Sequence, residues 1–147
     1  MANLFYPLGK KHFAIGDVVW KASGGSTVRA FLVDSTAYTY SSTHEFLSDI
    51  PTNARKGASG GTAITDGVLL TLIDAATNGV LDADDITISG ISAGSALQNV
   101  VIFKDGATDA ASPLLLFIDT ATGLPVTPDG NPILIQWDNG ANKIGVL

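Results

Sequence analysis

Three short strings in this sequence set reactive side chains at spacings that known chemistry uses. Gly90-Ile91-Ser92-Ala93-Gly94 has the G-x-S-x-G form of a nucleophile elbow, where a strained strand-to-helix turn exposes a serine beneath an oxyanion hole. A strand-like run precedes it here, but another strand-like run follows. The triad order also fails, because His12 and His44 both lie upstream of Ser92 and the histidine should lie downstream. A chain of 147 residues is short for that fold. A Gly-Ser-rich hairpin loop is the expectation.

His44-Glu45 begins the helical zinc pattern H-E-x-x-H and then breaks it, since Ser48 stands where the second histidine must be. Glu45 is expected to cap or pair locally near Thr43. Asp82-Ala83-Asp84-Asp85 opens like a calcium loop but lacks the third oxygen ligand, the glycine and the distal bidentate Glu. It reads as a solvated turn before a strand, with a weak calcium site shared with another loop of an assembly as the sharper alternative. Trp20, Trp137, Tyr6, Tyr38 and Tyr40 could form a sugar-binding platform, but core or interface anchoring is the favoured role. Any two Asp can meet in space as paired carboxylates, yet here they sit beside Gly, Asn, Ala or Thr, where capping accounts for them. There is no phosphate loop and no G-x-G-x-x-G. No catalytic, cofactor-binding or metal-ligating residue is assigned, and the chain is expected not to be an enzyme.

The elements that must position these residues are mostly strands. Thr27–Val33, Val68–Ile73, Ile86–Ile91, Asn99–Lys104, Leu114–Thr120 and Ile133–Trp137 carry strand-like runs, with Lys143–Val146 as a possible edge. In the first, apolar residues occupy both alternations, so both faces are expected to be covered. Asn78-Gly79, Gly94-Ser95, Asp105-Gly106, Thr122-Gly123, Asp129-Gly130 and Asn139-Gly140 supply the turns. This spacing predicts an antiparallel β-sandwich or barrel-like sheet. Leu4–Trp20 is the best helical candidate, weakened by Pro7, Gly9 and Gly16, and reads as a short helix or an ordered arm reaching a neighbour. Thr43–Ile50 suggests one or two helical turns capped by Thr43 and stopped by Pro51, and Ala58–Thr62 a loop. The expected organisation is an N-terminal arm or short helix over 1–22 and one β-rich domain over 23–147.

Composition narrows the partners. The formal charge is −6, and the eight Lys and Arg residues are scattered, which argues against nucleic acid and against an anionic membrane surface. Thirteen of the fourteen acids are Asp, a turn-and-cap preference that suits few helices. Only 15% of residues are charged, and the mean hydropathy is +0.30, apolar for a soluble domain. Either the core is generous or part of the surface is buried against copies and partners. Cysteine is absent, which excludes disulfides, zinc knuckles and thiol catalysis. No apolar run is long enough to span a membrane, and Pro7, Gly9, Lys10, Lys11 and His12 interrupt any signal-like stretch, so export by the usual route is not expected.

Several strings in order carry a resemblance. They are Phe46-Leu-Ser-Asp-Ile-Pro51 followed by Arg55, Val80-Leu-Asp-Ala-Asp-Asp-Ile-Thr-Ile88, Val100-Val-Ile-Phe-Lys-Asp105, Ile118-Asp-Thr-Ala-Thr-Gly-Leu-Pro-Val-Thr-Pro128 and Trp137-Asp-Asn-Gly-Ala-Asn-Lys-Ile144. Over nearly the whole chain they resemble a group of small virion proteins of tailed bacteriophages. The resemblance implies a structural component of the particle, preferentially a capsid decoration or cement protein. Such a protein would sit on the capsid surface, made in the host cytoplasm, and brace capsomers through contacts with the major capsid protein and copies of itself, as a homo-oligomer without cofactors. A tail or tail-fibre-associated β-domain that recognises a receptor or glycan is the alternative, and a small hydrolase the third and weakest.

Overall fold

A computed structural model describes residues 3–57, 67–74 and 79–147. The architecture is mainly β, with antiparallel pairing throughout the described strands. The expected loop at Ala58–Thr62 and the turn residue Asn78 lie outside the described residues.

The centre is a sheet with strand order β1-β9-β8-β2-β3, where β4 also pairs with β2. Its strands are β1 (Leu4–Phe5), β2 (Val28–Val33), β3 (Arg55–Lys56), β4 (Val68–Leu69), β8 (Asn99–Lys104) and β9 (Leu114–Ile118). β5 (Leu72–Ile73), β6 (Val80–Ala83) and β11 (Gly145–Val146) form a second sheet, and β7 (Ile86–Ile88) pairs with β10 (Ile133–Ile135) in a third. The one α-helix among the described residues, α1, runs from Pro7 to Ala14.

The apolar character of β2, β8 and β9 on both alternations has a direct cause: both faces of the sheet are buried. Val28, Ala30, Leu32, Val100, Ile102 and Ile118 join one core, filled from the far side by Leu81, Ile86, Ile88, Ile135 and Trp137 of the smaller sheets and their flanks. Phe31, Val33, Val101, Phe103 and Phe117 join a second core, covered by Tyr6, Tyr38, Leu47, Ile50 and Ala54 from irregular segments. A bulge sorts β9 between the two. Ile102 faces Leu116 while Phe103 faces Leu114, so Leu115 is the extra residue, and Leu115 and Leu116 both enter the first core.

Several expected elements are shorter or divided. Val68–Ile73 is not one strand. The Leu70 N–H bonds the Val28 carbonyl at 2.9 Å, and beyond it the chain leaves the central sheet for β6. Val80–Ala83 is a strand that the acidic reading of Asp82–Asp85 hid. Thr43–Ile50 holds only a 3-10 turn over Leu47–Asp49, and its cap is not Thr43. Instead the Asp49 carboxylate accepts the N–H groups of Glu45 and Phe46 at 2.8 and 3.0 Å.

The segment 4–14 is built into the domain. β1 pairs with β9, Tyr6 is fully buried, and the Tyr6 N–H donates to the Leu115 carbonyl at 3.0 Å. Gly9, which weakens the helix on propensity, is there for contact: a Cβ at this position would collide with the Leu114 carbonyl. Gly9→Ala is therefore expected to lower stability by about 1–3 kcal/mol through overpacking, despite the gain in helix propensity. Urea unfolding with an unchanged m-value checks it.

The irregular cover of the second core is held by a buried guanidinium. Arg55 is 1% exposed. Its Nε and Nη2 donate to the Ile50 carbonyl at 2.9 and 2.6 Å, Nη2 also to the Leu47 carbonyl at 2.7 Å, and Nη1 to Asp109 at 2.7 Å. The forked donor set reaches carbonyls of one turn and a carboxylate of another at once, which a lysine cannot do. Arg55→Met should cost roughly 3–5 kcal/mol by stranding those acceptors, and Arg55→Lys should recover little of it. Denaturant midpoints of the two variants test the difference in donor geometry.

Candidate binding cleft

The residues singled out for chemistry are largely taken up in bonds within the chain. Ser92 is exposed in the loop between β7 and β8, with no helix after it. His44 Nδ1 lies 2.8 Å from the Tyr38 hydroxyl, and His12 is engaged on both ring nitrogens, with Asp17 at 2.7 Å and Glu45 at 3.1 Å. Glu45, the remnant of the zinc pattern, also accepts from the Lys11 ammonium at 3.1 Å. It pairs on the surface as expected, but with α1 and not with Thr43. The carboxylates of Asp17 and Glu45 approach His12 through opposite nitrogens, so they bracket the ring and do not converge on a common point. Among the described residues, no group of three His, Asp or Glu side chains is arranged to hold a metal ion.

The acidic string Asp82–Asp85 serves the tryptophans. The Trp20 indole N–H donates to the Asp82 carbonyl at 2.8 Å, and that of Trp137 to the Asp84 carbonyl at 2.9 Å. The Asp85 carboxylate accepts the Trp137 backbone N–H at 2.9 Å, continuing the β7–β10 pairing by one more bond. Both indoles are thus anchors. Of the tyrosines, Tyr6 and Tyr38 are buried with their hydroxyls 3.0 Å apart, and Tyr40 is half-buried.

Among the described residues, two clefts stand out on the surface. The larger, about 740 Å³, runs between β1 and β9 on one side and the C-terminal segment around β11 on the other, past Phe5, Ile118, Trp137 and Lys143. Asn3 closes part of that sheet edge. Its side-chain oxygen accepts the N–H groups of Asp119 and Thr120 at 3.2 and 3.1 Å, and its amide donates to the Thr120 carbonyl at 3.2 Å. The side chain thereby stands in for one more strand residue.

The smaller cleft, about 500 Å³, has an aromatic wall of Tyr38, Tyr40 and Phe117 beside Gln98, Asn99 and Asp119. The Tyr40 and Phe117 rings are 5.4 Å apart at 46°, and those of Tyr38 and Phe117 6.3 Å apart at 54°. Burial pushes the Tyr38 phenol up to about 12 and raises that of Tyr40, so both keep their protons as donors near neutral pH. Asn99 had no place among the sequence candidates. The signal was present, however: it is the one amide at the head of the apolar run Val100–Phe103, and strand alternation puts it on the face of Val101 and Phe103.

No protein-family model and no curated protein matches this chain.

Charge on the surface is organised in pairs that stabilise carboxylates. Bonding to the Lys104 ammonium at 2.6 Å, with His12 adding to it, holds Asp17 below the usual range. Partial burial pushes Asp49 up, but the N–H groups of Phe46 and Glu45 outweigh it and hold it low. The Ala107 N–H, and then Arg29 at 2.7 Å, do the same for Asp105. A carboxyl group whose folded value lies below its unfolded one, about 3.9, adds stability that is complete above the unfolded value. That stability is lost as pH falls through the folded value. The urea midpoint should accordingly hold steady down to about pH 5 and drop progressively below about pH 4. In Asp49→Asn that acid-limb drop should be shallower, because one depressed carboxyl is gone.

Proposed function

We propose that this chain is a non-enzymatic structural protein of a tailed-phage virion, a decoration or cement subunit on the capsid surface. Its partners in this reading are the major capsid protein and copies of itself. The observation that carries the reading is where the fold leaves its large apolar side chains. Leu69 on β4, Ile73 on β5, Leu134 on β10 and Val146 on β11 are all exposed, from 36% for Ile73 to 56% for Leu69. Among the described residues each of these strands pairs on one side only.

Isolated exposed apolar residues are ordinary on any protein. Outer strands are a different matter, because their unpaired N–H and C=O groups already invite pairing. Self-contained proteins usually blunt them with Lys, Pro or inward charge. Here the outer strands carry Leu, Ile and Val, which suits a subunit whose edges are covered on assembly. The low charged fraction and positive mean hydropathy support the same reading, as does the resemblance of the ordered strings. The non-enzymatic part is supported by the structural bonds of both His12 nitrogens, of His44 Nδ1 and of Glu45.

The test is co-sedimentation with capsid shells purified without this protein, alongside sedimentation velocity of the free chain. Leu134→Lys and Leu69→Lys place a gatekeeper charge on two outer strands without touching either core. Saturable binding is expected for the parent, weakened at least about tenfold in one or both variants with thermal stability unchanged. A parent that stays monomeric at all concentrations and never sediments with shells would sink the proposal.

A further inference from the structure

Asn99 places an amide at the opening of the smaller cleft. The residue is only 7% exposed, and its register opposite Val33 sets it on the face of the second core. An Asn amide offers two donors and an acceptor with two lone pairs. Its neighbours Tyr38 and Phe117 present rings. The Tyr38 hydroxyl is already shared with Tyr6 and His44. No protein group bonds the Asn99 side chain among the described residues, although it lines the smaller cleft. Among the described residues no buried side-chain polar atom lacks a partner, so the amide atoms of Asn99 face the water of the cleft and are open to a ligand there.

The rest of the cleft is of a kind with it. Three aromatic rings form one side, while Gln98, Asn99 and Asp119 bring amide and carboxylate groups to the same opening. This combination presents an apolar surface next to both donors and acceptors. No Lys, Arg or His lines the opening among the described residues, and the chain carries a net charge of −6. An anionic ligand would have no counter-charge there and would approach an unfavourable field. A purely apolar ligand would leave the amides unpaired. A volume near 500 Å³ falls in the range of small-molecule sites.

We infer that the cleft bounded by Tyr38, Tyr40, Phe117, Gln98 and Asn99 is a binding site for a neutral saccharide. A pyranose ring has an apolar face that packs on aromatic rings and vicinal hydroxyls that each donate and accept. The Asn99 amide can therefore engage two neighbouring hydroxyls at once. The phenols of the wall are engaged within the chain, Tyr38 with Tyr6 and His44 and Tyr40 with the Phe5 carbonyl, so the polar contacts fall to Gln98 and Asn99. This inference stands apart from the assembly reading, since the outer-strand residues that carry the latter do not line this cleft.

Saturation-transfer NMR on the full chain tests it, using the methyl glycosides of glucose, galactose, mannose and N-acetylglucosamine, with methyl glucuronide as the anionic control. At least one neutral glycoside should show transfer at about 10 mM, a range suited to a single-ring contact. Asn99→Leu should abolish that signal or weaken binding at least about tenfold. Its melting temperature should match or exceed the parent's, because no internal hydrogen bond is lost. Gln98→Ala changes an exposed residue and gives a second comparison should Asn99→Leu fail to fold; it too should weaken binding. Absence of transfer from every neutral glycoside, transfer from the glucuronide alone, or unchanged binding in the folded variants would each overturn the assignment.

Discussion

The constraint from which the rest follows is that β2, β8 and β9 are apolar on both faces. A sheet of this kind cannot leave either face in water, so the remaining chain must supply two covers. One is made from β5, β6, β7, β10 and β11, whose alternate residues Leu72, Leu81, Ile86, Ile88 and Ile135 turn inward. The other is made without regular structure, from α1's flank and the segment 34–54. Burying a sheet face beneath irregular chain exposes the fold to a specific danger: backbone carbonyls and N–H groups under such a cover have no ladder to pair with.

The solution to that danger accounts for the polar residues found inside. Arg55 collects the carbonyls of Leu47 and Ile50. Asp49 collects two N–H groups, and the Tyr40 hydroxyl donates to the Phe5 carbonyl at 3.3 Å. Ser112 accepts from the Gly106 N–H at 2.9 Å and donates to the Thr108 carbonyl at 2.7 Å. Each is a side chain substituting for the missing backbone partner. Side chains that look like functional groups in the sequence are in this way consumed by the cover, which is why the histidine and carboxylate motifs dissolve into structure when seen in space.

What could be read in advance follows the same division. The strands Val28–Val33, Asn99–Lys104 and Leu114–Ile118 were legible because β-branched and aromatic residues run on both alternations, a pattern no exposed element shares. The outer strands were harder. Val68–Ile73 reads as one run because nothing local marks the change of sheet at Leu70, which is a decision of tertiary packing. Val80–Ala83 was hidden by Asp82, whose carboxylate sits 3.9 Å from Lys143 and bonds the Ala83 N–H. The segment 43–50 has helical spacing, yet Asp49 offers its N–H groups a competing partner, and one 3-10 turn is all that survives. An arm reaching outward from residues 1–20 also fits the sequence, but Tyr6 has a ready cavity beside Tyr38, Tyr40 and Phe117 within its own chain.

That division also separates side chains that serve the fold from those left over. Arg55, Asp49, Asp85 and both tryptophans are each saturated by a partner within the chain. Their conservation of geometry needs no ligand. Asn99 differs, since no protein group among the described residues bonds its side chain. The exposed Leu, Ile and Val of the outer strands differ in the complementary sense, being apolar groups that the fold leaves in solvent. In a chain that otherwise uses nearly every polar group to patch an irregular core, these two kinds of residue are where interactions beyond the monomer are to be sought. One kind asks for hydroxyl groups, the other for a surface to be buried against.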